Sequence, residues 1–285
     1  MRGEPAHIAI DVTEVERIAA LGWRGLDEAR LGDWLLRAAG GFTGRANSAL
    51  VLGPPPRTET GWVHDLVGWY AQRRLPAKVQ IPLPGGEAVD SALAAAGWRA
   101  HDTVRFLTGD IQEVQELAAA TPGGFLENRH VALPQNGPRS HARLDAAPDD
   151  AWLGAYRYRG AVLPAQARDV LVRAGPDTEL CFASLRSVAH GDSGDSGEVL
   201  AVARGATAKG WLGVTAVTVA DRHRRQGHGT RLMAELADWG AGKGARSVYL
   251  QVAADNSSAL RLYAQLGFVH HHDYRYRVGP SPPKA

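Results

Sequence analysis

Cysteine is nearly absent from this chain. Cys181 is the single one, so no internal disulfide and no cysteine metal cluster can form. Lysine is scarce too, with only Lys78, Lys209, Lys243 and Lys284 among 32 basic residues. Neither sign of charge prevails, since those 32 face 30 acidic residues. A general nucleic-acid coat needs a marked positive excess, so no nucleic-acid partner is expected, although one local anion site is compatible with the balance. No apolar run approaches the ~20 residues of a membrane span, so no membrane partner is expected either. Met1-Arg2-Gly3-Glu4-Pro5 leads into no apolar signal-peptide core. These absences together predict a cytoplasmic protein. What is present is ordinary for a folded chain, and 285 residues suffice for two domains.

Hydrophobic periodicity and breakers predict strands alternating with helices, an α/β (α+β) architecture. The first half reads as a helix near Val12–Leu21, strands Trp34–Ala39 and Arg45–Leu52, helix Trp62–Arg73, strand Lys78–Ile81, helix Glu87–Ala96 and strand Trp98–Leu107. A short helix over Ile111–Ala120 leads into two breaker clusters, Thr121-Pro122-Gly123-Gly124 and Leu133-Pro134-Gln135-Asn136-Gly137-Pro138. This sets domains at 1–110 and 139–285 with a linker over 111–138. The second half reads as a strand near Ala142–Leu144, a helix opened by Pro148 and a helix over Pro164–Arg173. Strands Glu179–Leu185, Glu198–Ala206 and Trp211–Val219 come next, then a loop and helix over Asp221–Gly240. Strand Ser247–Val252, helix Ser257–Leu266 and strand Val269–Val278 close the chain. The run from His190 to Gly197 reads as a long exposed hairpin loop.

The two halves repeat. A shift of 170 positions lays Trp62–Gly109 on Leu232–Gly279 without a gap. Leu66 then meets Leu236, Trp69 meets Trp239, Ala94 meets Ala264, and Gly97-Trp98 meets Gly267-Phe268. The matched order is helix, strand, helix, glycine, strand, which predicts an internal duplication. Five of the eight tryptophans lie in the first half, enough for a core of its own.

The densest local signal is Val217-Thr218-Val219-Ala220-Asp221-Arg222-His223-Arg224-Arg225-Gln226-Gly227-His228-Gly229-Thr230. A strand ends, a basic glycine loop follows, and Leu232, Met233, Leu236 and Trp239 continue at helical spacing. A helix start offers unpaired N–H groups and the positive end of the dipole, so it favours phosphate. Gly227 and Gly229 permit close backbone approach, and Arg222, Arg224, Arg225 and Arg231 are expected to add positive charge. No third glycine completes a dinucleotide fingerprint, and no Gly-Lys-Ser/Thr completes a Walker loop. Downstream, Asn256 and Tyr263 stand seven residues apart, two helical turns, and so share a face. Asn256 also fits a helix N-cap, and Tyr263 fits a half-buried packing position.

Taken together, Arg224-x-x-Gly227-x-Gly229 and Asn256-x-x-Ala259-x-x-x-Tyr263-x-x-x-Gly267-Phe268 resemble the GNAT acetyltransferase superfamily. The whole chain resembles its tandem arrangement, as in actinobacterial proteins, with each copy a mixed, mostly antiparallel twisted sheet flanked by helices. The resemblance implies acetyl-CoA as cosubstrate, an amine acceptor, no metal, and a monomer or homodimer. It implies that the N–H groups of Arg225, Gln226, Gly227, His228, Gly229 and Thr230 hold the pyrophosphate beside Arg224. It implies further that Val217, Thr218 and Val219 pair with the pantetheine arm, with the Val217 N–H polarising the acetyl carbonyl. Asn256 is then expected to hold the arm and Tyr263 to protonate the departing thiolate. Direct amine attack needs no covalent enzyme intermediate, so Cys181 has no part in it.

The repeat assigns these roles to the second copy alone. Tyr263 falls on Leu93, Asn256 on Gly86, and the glycine loop on Pro54-Pro55-Pro56-Arg57-Thr58-Glu59, where proline removes N–H donors. The first copy is expected to be a structural partner and one wall of the acceptor groove. Trp152, Tyr156 and Tyr158 lie where this fold usually meets its acceptor, and ordinary packing explains them equally well. The polar run Phe42-Thr43-Gly44-Arg45-Ala46-Asn47-Ser48 fits either a groove-facing segment or a hairpin turn. The family often places a glutamate base on the strand before the loop, but Trp211–Val219 has none, and Glu198 and Asp221 are the nearest carboxylates. His270-His271-His272 alternate faces on a strand, so a metal site there is not expected. The expected activity is small-molecule N-acetyl transfer. A mycothiol synthase-like enzyme, or a CoA-binding regulatory protein without turnover, are the alternatives.

Overall fold

The computed structural model describes residues 9–56, 61–121, 140–158, 160–188 and 197–280. The first half comprises α1 (Val12–Gly22), β1 (Asp27–Leu31), β2 (Trp34–Ala38), β3 (Ala49–Leu50), α2 (Gly61–Ala71), β4 (Lys78–Leu83), α3 (Glu87–Ala95) and β5 (Arg99–Asp110). Then come α4 (Ile111–Ala120), β6 (Ser140–Asp145), α5 (Asp150–Ala155), α6 (Ala167–Leu171), β7 (Glu179–Ser187), β8 (Val199–Ala208) and β9 (Trp211–Val219). The last elements are α7 (His228–Gly242), β10 (Ser247–Ala253), α8 (Ser257–Gln265) and β11 (Val269–Val278). The repeat is visible in these bounds, because α3 shifted by 170 positions coincides with α8 end to end.

The expected α/β class holds, with one change of plan. The halves do not form separate sheets but one sheet of eleven strands among the described residues, in the order β1-β2-β3-β4-β11-β5-β10-β9-β8-β7-β6. Two pairs are parallel, β3 with β4 and β9 with β10; the other pairs are antiparallel. The halves exchange their last strands. β11 lies against β4, from Asp273 opposite Leu83 to Val278 opposite Lys78. β5 lies against β10, from Ser247 opposite Asp110 to Ala253 opposite Val104. β5 and β11 also pair with each other at the centre. Asp90 on α3 ties the exchange down, accepting from Arg277 Nε at 2.8 Å and Nη2 at 3.1 Å.

Each half has its own core. Trp34, Trp62, Leu66, Tyr70, Ile81, Leu93 and Trp98 pack together in the first. Leu212, Val214, Leu232, Met233, Leu236, Leu250, Tyr263, Leu266 and Phe268 do so in the second. Each such side chain contributes about 1.5–3 kcal/mol by leaving water. Asp11 caps α1, accepting from the N–H groups of Thr13 and Glu14, and Asp110 caps α4 in the same way. α4 falls in the sequence-based linker, yet Ile111, Val114 and Ala118 are part of the second core. Most of that linker and the 190–197 loop, apart from Gly197, lie outside the described residues.

Some elements differ from the periodic reading. β1 has no counterpart there, because its Asp27-Glu28-Ala29-Arg30-Leu31 stretch is an exposed edge with little apolar pattern. Residues 45–47 form a 3-10 turn, which leaves two residues of the expected Arg45–Leu52 strand. The helix expected over Pro164–Arg173 shortens to five residues.

Candidate active site

β9 and β10 begin as a parallel pair and then part. Their register runs from Trp211 opposite Ser247 to Val214 opposite Leu250 and ends there. Beyond it β9 pairs with β8 alone and β10 with β5 alone, as far as Val219 and Ala253. The facing edges of both strands are therefore free of ladder bonds. The β8–β9 register shifts at the same place, Val202 standing opposite Thr218 but Arg204 opposite Thr215, so that β9 carries the extra residue, and Ala216 adopts φ +56°. A β-bulge of this kind bends the strand and re-aims its groups. Val217 and Val219 pack toward the α7 side of the sheet, while Ala216 packs against the Trp23, Phe42 and Tyr156 cluster on the other.

The chain leaves β9 through a 3-10 turn at Asp221–His223 and enters α7 at Gly227. Arg225 has φ +61° and Gly227 has φ +81°, and no side chain caps the first turn of α7. Left-handed residues of this kind turn successive N–H groups to one side, a concavity suited to an anion at the positive end of the helix dipole. A Cβ on Gly229 would stand 3.0 Å from Leu262 Cδ2 and 4.0 Å from Val219 Cγ2. The loop, the free edge of β9 and α8 thus converge at this glycine.

The arginines are distributed otherwise than expected. Arg222 ion-pairs with Glu198, Arg224 Nη2 lies 2.7 Å from Asp221, and Arg231 donates to Ser140 Oγ at 2.6 Å with Glu235 beside it. Arg225 forms no ion pair among the described residues, so the positive charge at the loop is carried by this side chain and the helix start. Sequence proximity places all four around one phosphate, but Arg222, Arg224 and Arg231 are long enough to find a carboxylate or hydroxyl of their own. His228 is buried, its Nε2 has no hydrogen-bond partner among the described residues, and burial holds its pKa below the ordinary value.

Asn256 caps α8, its Oδ1 accepting from Ala259 N at 3.2 Å and Ser258 Oγ at 3.0 Å. Tyr263 lies in the second core, its ring centroid 5.7 Å from that of Phe268. Burial alone pushes its phenol up to about 12, so it remains protonated throughout the neutral range. Its hydroxyl is not among the sealed, unpartnered polar atoms. Glu198 accepts from Arg222 and contacts His223 Nε2 at 2.8 Å, which together hold its carboxyl below the usual range. Glu198 is therefore not poised to accept a proton near neutral pH, and Asp221 is taken up in its ion pair with Arg224. Cys181 is buried in the core, and burial pushes its thiol up to about 12.

On the sheet face away from α7, the first half reaches the parting of β9 and β10. Leu250 and Val252 pack toward α7, and Tyr249 packs toward α1. Alternation along the strand places Gln251 on the Tyr249 face. Gln251 is the first residue of β10 beyond its pairing with β9. Arg45 Nη1 donates to its Oε1 at 2.8 Å, and the Tyr274 hydroxyl donates to the same atom at 3.2 Å. The Arg45 guanidinium lies 4.7 Å from the Trp23 ring centroid. Gly44 N donates to the Tyr158 hydroxyl at 3.4 Å, whereas Trp152 and Tyr156 are buried packing residues. The polar run from Phe42 to Ser48 signals this side, but nothing in the sequence singles out Trp23, Gln251 or Tyr274. The three consecutive histidines go separate ways: His270 to Asp273, His271 to Ile10 O and His272, and His272 also to buried Glu16.

A sheet in which two parallel strands part beside an uncapped, glycine-led helix start is the architecture of a GNAT acetyltransferase, an acyl-transferring enzyme. The chain belongs to the family described as "Probable histone acetyltransferase Rv0428c C-terminal", whose model matches residues 9–277. It is 30% identical over 271 residues to the Mycobacterium tuberculosis (strain ATCC 25618 / H37Rv) protein described as "Probable histone acetyltransferase Rv0428c", covering 95% of this chain and 74% of that one. Among solved structures it is similar in fold to a GCN5-related N-acetyltransferase from Kribbella flavida, with a TM-score of 0.64, 16% identity, and 95% and 97% of the two chains covered. A tandem GNAT protein from the clavulanic acid biosynthesis pathway shares the fold at a TM-score of 0.56 and 18% identity, over 99% and 92% of the two chains.

Proposed function

We propose that this enzyme transfers an acetyl group from acetyl-CoA directly to the amine of a small-molecule acceptor. The observation that carries the reading is the parting of β9 from β10 after Val214, with the α7 start at one end and Tyr263 on the neighbouring helix. The N–H groups from Arg225 to Thr230 suit a pyrophosphate, and the free edge of Val217-Thr218-Val219 suits an amide-bearing arm laid down like a strand. Asn256 has its Oδ1 engaged in the cap, which leaves its amide NH₂ to donate to that arm. In this reading the Val217 N–H polarises the acetyl carbonyl.

As the C–N bond forms and the C–S bond breaks, the amine proton leaves to solvent and the sulfur takes up negative charge. A phenol near 12 facing a thiol of pKa ~8.5 makes full proton transfer uphill by about 5 kcal/mol. Tyr263 therefore acts as a hydrogen-bond donor to the developing thiolate, which then leaves as such or takes a proton from water. Among the described residues the parted stretches of β9 and β10, residues 215–219 and 251–253, carry no carboxylate, which suits an acceptor that reaches the site as a free amine.

Calorimetric titration with acetyl-CoA tests the reading, and absence of binding would sink it. The ion-paired state of Glu198 and Asp221 favours a second reading, a CoA-binding regulatory protein without turnover. Thiol release with any amine in a broad screen, weakened in Tyr263→Phe, excludes that alternative. The relative's description would bring a histone lysine as acceptor, but the groove presents Arg45 with Arg204 close behind it, which disfavours a lysine-rich tail.

A further inference from the structure

Arg45 stands out because it belongs to the copy that lacks the acetyl-CoA motifs, yet its guanidinium ends at the parted strands of the other copy. It is 206 residues distant in sequence from the Gln251 it meets. Its contacts there are neutral: the Gln251 amide oxygen and the face of Trp23. A second guanidinium, that of Arg204, lies 5.1 Å from the same Trp23 centroid. Arg204 is fully buried and donates to backbone carbonyls only, Leu171 O at 2.7 Å, Gly22 O at 2.8 Å and Arg173 O at 3.5 Å. Among the described residues, neither arginine has a carboxylate partner. A half-buried guanidinium beside a fully buried one, both held by neutral oxygens, attracts an anion, since burial without a counter-charge is costly.

From this arrangement we infer that Arg45 reads a carboxylate on the acceptor, so that the substrate is an amine that also bears a carboxylate, of the amino-acid class. The inference rests on the acetyl-transfer reading above. Arg204 has its donors committed, whereas Arg45 has given one Nη to Gln251 and keeps its other edge. One open guanidinium edge matches a carboxylate by two parallel hydrogen bonds. The Tyr274 hydroxyl shares the Gln251 acceptor with Arg45 and so holds both groups in register. The first copy then takes a direct part in recognition. It supplies the charge that orients the acceptor, while the second copy holds the donor.

The test uses the full chain, acetyl-CoA and a panel of amino acids, each paired with the neutral amine that results from its decarboxylation, with thiol release as readout. The expected result is a preference for the carboxylated member of at least one pair, with a kcat/KM ratio that falls 10- to 100-fold in Arg45→Met, mainly through KM. Arg45→Lys should recover part of it, because charge is retained while the two-point edge is lost. Acetyl-CoA affinity measured on each variant reports that it is folded. A wild-type enzyme that favours the neutral amines, or turns over none of the carboxylated ones while still binding acetyl-CoA, overturns the inference and leaves the acetyl-transfer reading in place. Equal losses on both members of a pair in Arg45→Met overturn it as well. No acetyl-CoA binding at all overturns the transfer reading, and this inference with it.

Discussion

The two copies differ least where they are buried and most where a ligand would meet them. Leu66 and Leu236 are both fully buried in their cores, and Trp98 and Phe268 open the two exchanged strands in the same way. At the positions that would touch a cosubstrate, the copies diverge. Tyr263 has Leu93 as counterpart, fully buried in the first core. Asn256 has Gly86, where a Cβ would stand 2.4 Å from Ile81 Cγ2 and 2.6 Å from Pro82 O, so no side chain fits at all. β3 has two residues and stays bonded to β4, with Val51 N donating to Gln80 O at 3.1 Å beyond the ladder, whereas β9 parts from β10. Packing constrains volume and pattern in both copies alike. Binding groups persist only where a ligand rewards them.

The largest effect expected from breaking this comparison concerns the exchanged strands. β11 is bonded to both β4 and β5, so deletion of residues 269–285 should unfold both halves. Circular dichroism and amide NMR spectra check this, and a first half that stays folded in the truncated chain would contradict it. Next in size, Tyr263→Phe should lower kcat on the order of 10²–10³-fold with acetyl-CoA affinity nearly kept. Its counterpart change, Leu93→Ala, should instead cost about 2–5 kcal/mol in denaturant unfolding and leave kcat of the folded enzyme nearly unaltered. An equal kcat loss from both would erase the division of labour.

Gly86→Asn, which gives the first copy the residue of the second, should destabilise by about 1–3 kcal/mol through the clash with Ile81 and Pro82. Unchanged stability would mean that the first copy still has room at that position. The smallest effect is on acid stability. The hydrogen bonds from Arg277, then its charge, hold Asp90 below its usual pKa, so this carboxylate stabilises the fold above about pH 4. That contribution, about 1–2 kcal/mol, should vanish as pH falls through the lower folded value. Asp90→Asn should be less stable at neutral pH and flatter in acid, as measured by denaturation midpoints across pH 2–6.

Much of the site is legible in the sequence because its signals are local. Gly227 and Gly229 after a strand, the Asn256 cap and the two-turn spacing to Tyr263 need only a few residues of context. The partners of the arginines are not legible there, since a long side chain pairs with whatever the fold brings near. Arg222 meets Glu198 across 24 positions and Arg231 meets Ser140 across 91. Arg45 shows in the sequence only as part of a polar run, without its destination.

The sequence alone determined the duplication, the element order of each copy and which copy retains a glycine-led helix start, because periodicity, caps and glycine positions act over a few residues. The tertiary structure decided that β5 and β11 change places, that β9 parts from β10 after Val214, and that the first copy delivers Arg45 to the second. The alternation of a strand states which face is buried, but it is blind to which strand lies alongside. That choice is settled by closing the whole sheet over both cores at once.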